Sequence, residues 1–141
     1  MAQQIEKLAH FVAETTLEQV PTEVQRYAKL VVLDTIGVVL AGAERPEVRE
    51  LRARLSATAG TGATVFAPGW PTNDPRTVAL LNGIAGRSIE LGEGHRYVSY
   101  QGAMQILPGV LSAGEWGRRT GSDMLAALIL AMMRVPASGR R

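Results

Sequence analysis

Between Pro21 and Gly42 the chain carries an unbroken run in which Val24, Tyr27, Ala28, Val31, Val32, Thr35, Val38 and Val39 recur at helical spacing. Its β-branched content would suit a strand, but strands average only about 5–6 residues. A pattern this long with that period predicts a buried helix instead. Thr22 and Gln25, three residues apart, form a capping-box pattern at its start, and Gly42 supplies a stop. A chain committed to one helix of this length and apolarity has to wrap other helices around it.

The flanking segments supply them. Ile5, Leu8, Ala9, Val12 and Ala13 predict an amphipathic first helix that ends near Thr15 and Thr16. Glu47, Val48, Leu51, Leu55 and Ala59 predict a third helix, ended by Gly60, Thr61 and Gly62. Ala63 to Ala67 is the best strand candidate, short and β-branched, before a Pro68-Gly69-Trp70-Pro71 turn. Asp74 followed by Pro75 predicts a fourth helix start, with Asp as N-cap and Pro in the first turn, continuing to about Ser88. Gln101 to Gly114 and Ser122 to Arg134 read as two further apolar helices. The expectation is a mostly α fold, an irregular bundle of about six helices with at most a short β-hairpin.

At 141 residues with 46% hydrophobic content, the chain fits one compact domain. A net charge of +2, with arginines spread over several segments, gives no nucleic-acid footprint. The absence of cysteine excludes disulfides, thiolate metal sites and a cysteine nucleophile. It suits a cytoplasmic protein, as does an amino terminus without a signal-peptide pattern. The apolar runs over 30–43 and 124–133 fall short of the roughly 20 residues needed to span a bilayer, so no membrane role is expected.

Polar chemistry is concentrated in one place. From Asn82 to Tyr97 a glycine-broken segment carries Arg87, Glu90, Glu93, His95 and Arg96 between two apolar regions. Groups of this kind pair with one another or meet a ligand. On residues alone this is the edge of an anion-handling pocket. One His and two Glu around a glycine loop lack the spacing of a metal ligand set, and nothing else points to a metal or cofactor. No phosphate-binding loop is present.

Together with Leu33-Asp34-Thr35-Ile36-Gly37-Val38 upstream, and Ile106-Leu107-Pro108 and residues 120–128 downstream, the same stretch resembles the amino-terminal helical domain of the MmgE/PrpD family. The likeness runs from about Ile5 to about Leu130, and the family includes 2-methylcitrate dehydratases and cis-aconitate decarboxylases. The resemblance implies a helical domain over 1–134 and a diverged tail over 135–141. It also implies a lyase-type, dehydratase-like activity on a small polycarboxylate such as 2-methylcitrate. A base would remove a proton beside a carboxylate and water would leave.

Carried over position by position, Glu90 and Glu93 fall on acidic positions of the family pattern and His95 on the histidine that follows, making these three the expected catalytic residues. Arg87, Arg96, Gln101 and Tyr100 are expected to bind substrate. Gly92 stands where many members have Asp. Gln101 stands nearest the histidine of a His-Pro dipeptide, with Gly102 in place of the proline, and a one-residue shift puts Tyr100 there. Because family members continue into a further α/β domain, the chain is expected to be a truncated copy or half of a split enzyme. Its exposed faces would be covered in a homodimer or by a complementing chain.

Blander readings stand beside these. Glu90 can be a surface carboxylate paired with Arg87 or Arg96. His10 reads as a surface or interface residue, and Trp70, Trp116 and the methionines as core or interface. Asp34 reads as a lone buried carboxylate with a structural partner, and Asn82-Gly83 as close helix packing with Asn bonded to backbone. The rival functions are a non-catalytic binding or assembly module, and an isomerase or epimerase that returns the proton to the same carbon.

Overall fold

The computed structural model describes residues 2–55, 62–94 and 100–134. Six α-helices occur among them: α1 (Ala2–Glu14), α2 (Thr22–Ala43), α3 (Pro46–Leu55), α4 (Pro75–Arg87), α5 (Gly102–Trp116) and α6 (Gly121–Arg134). A single turn of 3₁₀ helix, Leu17–Gln19, leads into α2. The all-α bundle is the architecture expected from the periodicity.

The long helix α2 stands at the centre, packed on α4 and, less extensively, on α5 and α6. One core joins Val38, Val39 and Ala43 of α2 to Val78, Leu81 and Ala85 of α4 and Met104 of α5. A second, smaller core joins Val20 and Ala28 to Leu125 and Ile129 of α6. Burial of such side chains is the main favourable term in folding, about 25 cal/mol per Å². Their spacing, not strong capping, therefore sets the bundle.

Several local expectations change. The N-cap of α2 is Pro21, without a side-chain cap, and Thr22 is already helical. Gln25 is occupied elsewhere: its Nε2 donates to the carbonyls of Leu17 and Val20, both at 2.9 Å, and so ties the 3₁₀ turn to the helix. Gly42 is not a stop, because α2 continues to Ala43. It is the point where α2 and α4 touch, since a Cβ there would lie 1.8 Å from the carbonyl oxygen of Ala85. Val24 and Tyr27, expected on the buried side, are 40% and 66% exposed. The expected continuation of α3 to Ala59 lies outside the described residues.

The strand expected over residues 63–67 is reduced to an isolated antiparallel bridge between Ala63 and Asn73, with backbone bonds of 2.9 and 3.1 Å. The loop that carries it is fixed by the buried Asn82 of α4. Its Oδ1 accepts from the Phe66 N–H at 2.9 Å, and its Nδ2 donates to the Thr64 carbonyl at 3.1 Å. Asn82 thus bonds backbone as expected, whereas a Cβ on Gly83 would meet nothing within 4 Å, so Gly83 is not a close-packing position.

Asp74 caps α4 as expected, accepting from the Arg76 and Thr77 N–H groups at 3.1 and 3.3 Å. The Thr77 side chain, and then these backbone bonds, hold its carboxyl below the usual aspartate range. Before α6, Thr120 and Asp123 form a reciprocal capping box at 3.0 and 3.2 Å. Arg52 is buried with its guanidinium 4.1 Å from the Trp70 ring centre, and it donates to the Ala43 carbonyl at the end of α2, where the helix dipole favours a cation. Trp116, by contrast, is largely exposed.

Candidate functional site

The acidic stretch begins where α4 ends. Arg87, in the last turn of that helix, donates from Nη2 to both carboxylate oxygens of Glu90 at 3.0 and 3.2 Å. The pair lies at the surface, where such bridges contribute between nothing and about 1 kcal/mol. Glu90 itself has φ of 54°, the left-handed region that non-glycine residues seldom occupy. This turns the chain away from α4 and toward the head of α5.

Three residues on, Glu93 meets that head. Its Oε1 accepts from the Ala103 N–H in the first turn of α5 at 2.7 Å. The free N–H groups and the positive end of a helix dipole both favour a carboxyl there. Its Oε2 is shielded from solvent and has no hydrogen-bond partner among the described residues. Burial raises the Glu93 carboxyl above the ordinary glutamate range; the Ala103 N–H opposes that, and the negative charge of Asp34 adds to it.

Tyr100 completes the cluster. Its ring lies so close to Gly102 that a Cβ on that residue would come within 2.4 Å of it. Burial and the nearby Glu93 charge push its hydroxyl above the usual phenol range. Gln101 is the N-cap residue of α5, and its side chain makes no capping bond. Of the two positions considered against the family's histidine, Tyr100 feels the charge of Glu93.

The sequence-predicted residues divide as follows. Arg87 and Glu90 are held together, and Glu93, Tyr100 and Gln101 gather at the head of α5. His95 and Arg96 lie outside the described residues. His10 pairs with Glu14 at 2.9 Å on the surface of α1.

Asp34 was expected to be buried; it is exposed on α2 and faces the cluster closely enough to act on Glu93. Among the described residues no group of three His, Cys, Asp or Glu side chains is arranged to hold a metal ion.

What the arrangement supplies is a carboxyl kept protonated to higher pH than usual, a phenol, and an α-helix head that offers N–H donors. Such a set transfers protons and binds anions.

The fold is an all-α bundle in which Glu93 bonds to the head of α5. The chain belongs to the MmgE/PrpD family: the MmgE/PrpD N-terminal domain matches residues 6–133. No curated protein and no solved structure matches it. No described helix is long and apolar enough to cross a membrane.

Proposed function

We propose that this chain is the helical domain of a lyase that removes water from a small polycarboxylate such as 2-methylcitrate. The observation that carries the reading is Glu93, a carboxyl with one oxygen on the Ala103 N–H, the other shielded and without a hydrogen-bond partner among the described residues, and its proton held to higher pH than an ordinary glutamate would hold it.

In this reading His95 takes the proton from the carbon beside a substrate carboxylate, and the electron pair forms the carbon–carbon double bond. Glu93 delivers its proton to the departing hydroxyl, which leaves as water. Arg87, Arg96, Gln101 and Tyr100 hold the substrate carboxylates, and Glu90 orients Arg87. The site is cytoplasmic in this reading, in keeping with a chain that has no cysteine.

The test is to incubate the chain with 2-methylcitrate, citrate or cis-aconitate and follow the ultraviolet absorbance of the unsaturated acid. Formation or consumption of that chromophore supports the lyase. No change, together with no thermal stabilisation by any of the three acids, overturns it. A second reading, a polycarboxylate-binding module without catalysis, is favoured by the closed Arg87–Glu90 pair. It predicts stabilisation without turnover.

A further inference from the structure

Helices α3, α4 and α5 border an open groove of about 810 Å³, the size of a site for a small organic ligand. Its walls are mostly aliphatic: Val48 and Leu51 of α3, Leu80 and Ile84 of α4, and Pro108 of α5. Leu80 and Ile84 are 53% and 36% exposed, so the described residues leave apolar surface uncovered there. Contiguous uncovered apolar surface of this kind marks a binding site.

The floor of the groove is bare. Gly83 and Gly109 line it from within α4 and α5, where glycine weakens a helix. Close packing explains neither, since a Cβ on either would meet nothing within 4 Å. Gly42 and Gly86, by contrast, stand against the Ala85 carbonyl and the Met104 sulfur. What the two bare glycines keep open is the groove itself.

Cationic groups gather at one end. Gly42 of α2 meets Ala85 of α4, and the Ser88 hydroxyl donates to the Gly42 carbonyl at 3.3 Å. This contact brings Arg45, just beyond α2, and Arg87, in the last turn of α4, to the same end of the groove. Their partners Glu47 and Glu90 are exposed, and pairs of that kind are weak enough to exchange for a ligand anion. Of those two glutamates only Glu47 lines the groove, so its charged end carries an excess of positive charge. From Arg87 back to Ala79, α4 runs for eight residues, about 12 Å, toward the aliphatic end at Leu80, with Gly83 midway.

We propose that this groove binds an amphiphilic acid, with a single carboxylate at Arg45 and Arg87 and an unbranched apolar chain, of about eight to ten carbons to match that run, laid over Gly83 and Gly109. The chain covers the open faces of Leu80 and Ile84, and the carboxylate gains two guanidinium partners. The inference is independent of the chemistry assigned to Glu93.

The probe is decanoate, titrated calorimetrically into the full chain at millimolar concentration, below micelle formation. It binds at one site; hexanoate binds more weakly by on the order of tenfold or more. Decanol, which keeps the tail without the carboxylate, loses affinity to a similar degree. Gly83→Leu places a side chain in the groove and weakens decanoate by on the order of tenfold while raising the melting temperature, since leucine favours the helix and its Cβ meets no obstacle. Gly109→Leu behaves alike. Arg45→Gln, at an exposed position, weakens decanoate several-fold and leaves decanol unchanged.

Loss of binding together with a gain in stability is a result that misfolding cannot produce. Absence of decanoate binding to the wild type, whatever else fills the groove, overturns the inference. So does a stabilised Gly83→Leu or Gly109→Leu that binds decanoate as the wild type does, or decanol that binds as tightly as decanoate.

Discussion

Replacing Gly42 by alanine is predicted to destabilise the bundle, although alanine is the better helix former. The new Cβ would lie 1.8 Å from the Ala85 carbonyl oxygen and 2.7 Å from its carbonyl carbon, whereas real Cβ contacts essentially never fall below 3.0 Å. The obstacle is backbone, so no rotamer change relieves it. Helices α2 and α4 have to part by more than an ångström where Val39, Ala43, Leu81 and Ala85 meet.

Overpacking of this kind costs about 3 kcal/mol, the upper end of the usual range. The gain in helix propensity from Gly to Ala offsets roughly 1 kcal/mol of that, leaving a net loss of about 2 kcal/mol. Gly37→Ala on the same helix meets nothing within 4 Å and keeps only the propensity gain, so it stabilises by about 0.5–1 kcal/mol. Urea unfolding followed by circular dichroism separates the two: for a slope near 2 kcal/mol/M the Gly42 variant moves its midpoint down by about 1 M and the Gly37 variant moves it slightly up. A Gly42→Ala midpoint within 0.2 M of wild type would refute the close approach of α2 and α4.

Other consequences are equally direct. Asn82→Ala leaves the Phe66 N–H and the Thr64 carbonyl without their partner and is expected to cost about 1–3 kcal/mol, read by the same unfolding assay. Because the folded-state pKa of Glu93 is raised above 4.5, the folded state binds more protons than the unfolded one in the window above that value. Glu93 therefore makes stability fall as pH rises through the window, and Glu93→Gln removes that part of the slope in melting curves taken across it. Asp74 and Asp123 act in the opposite sense: their lowered carboxyls stabilise above 3.8, and that contribution is lost as pH falls through their folded-state values, so Asp74→Asn flattens the acid limb.

What could be read from the sequence was local or periodic. The Asp74-Pro75 start of α4 needs only its own first turn, and the expectation held. The length of α2 follows from a pattern sustained over many residues. The Thr22/Gln25 box did not form, because Pro21 takes the cap position and Gln25 is drawn to carbonyls in the preceding turn. Gly42 looked like a stop because its role is set by Ala85, more than forty residues away and invisible to any local window. The residues 63–67 carry strand-forming side chains, yet their one bridge among the described residues is Ala63 to Asn73, and their other backbone bonds go to the Asn82 and Glu115 side chains and to local turns.

For the site, the crowding of charge singled out Glu93 without foretelling its bond to the head of α5, while periodicity placed Tyr27 on the buried side and composition placed Asp34 in the core. Both lie on the open face of α2, which a sequence cannot distinguish from the buried one when both are apolar. The packing of the Tyr100 ring against Gly102, beside the Glu93 charge, is tertiary and has no local sequence signature.

The central claim is that Glu93 is a proton-holding carboxyl in a site for small polycarboxylates. Carbon-13 NMR of its side-chain carboxyl, titrated with pH with and without cis-aconitate, tests both halves at once. The account predicts a midpoint above that of an ordinary glutamate and a further change of midpoint when the acid is added. A midpoint at or below the ordinary value, unmoved by cis-aconitate, would contradict it.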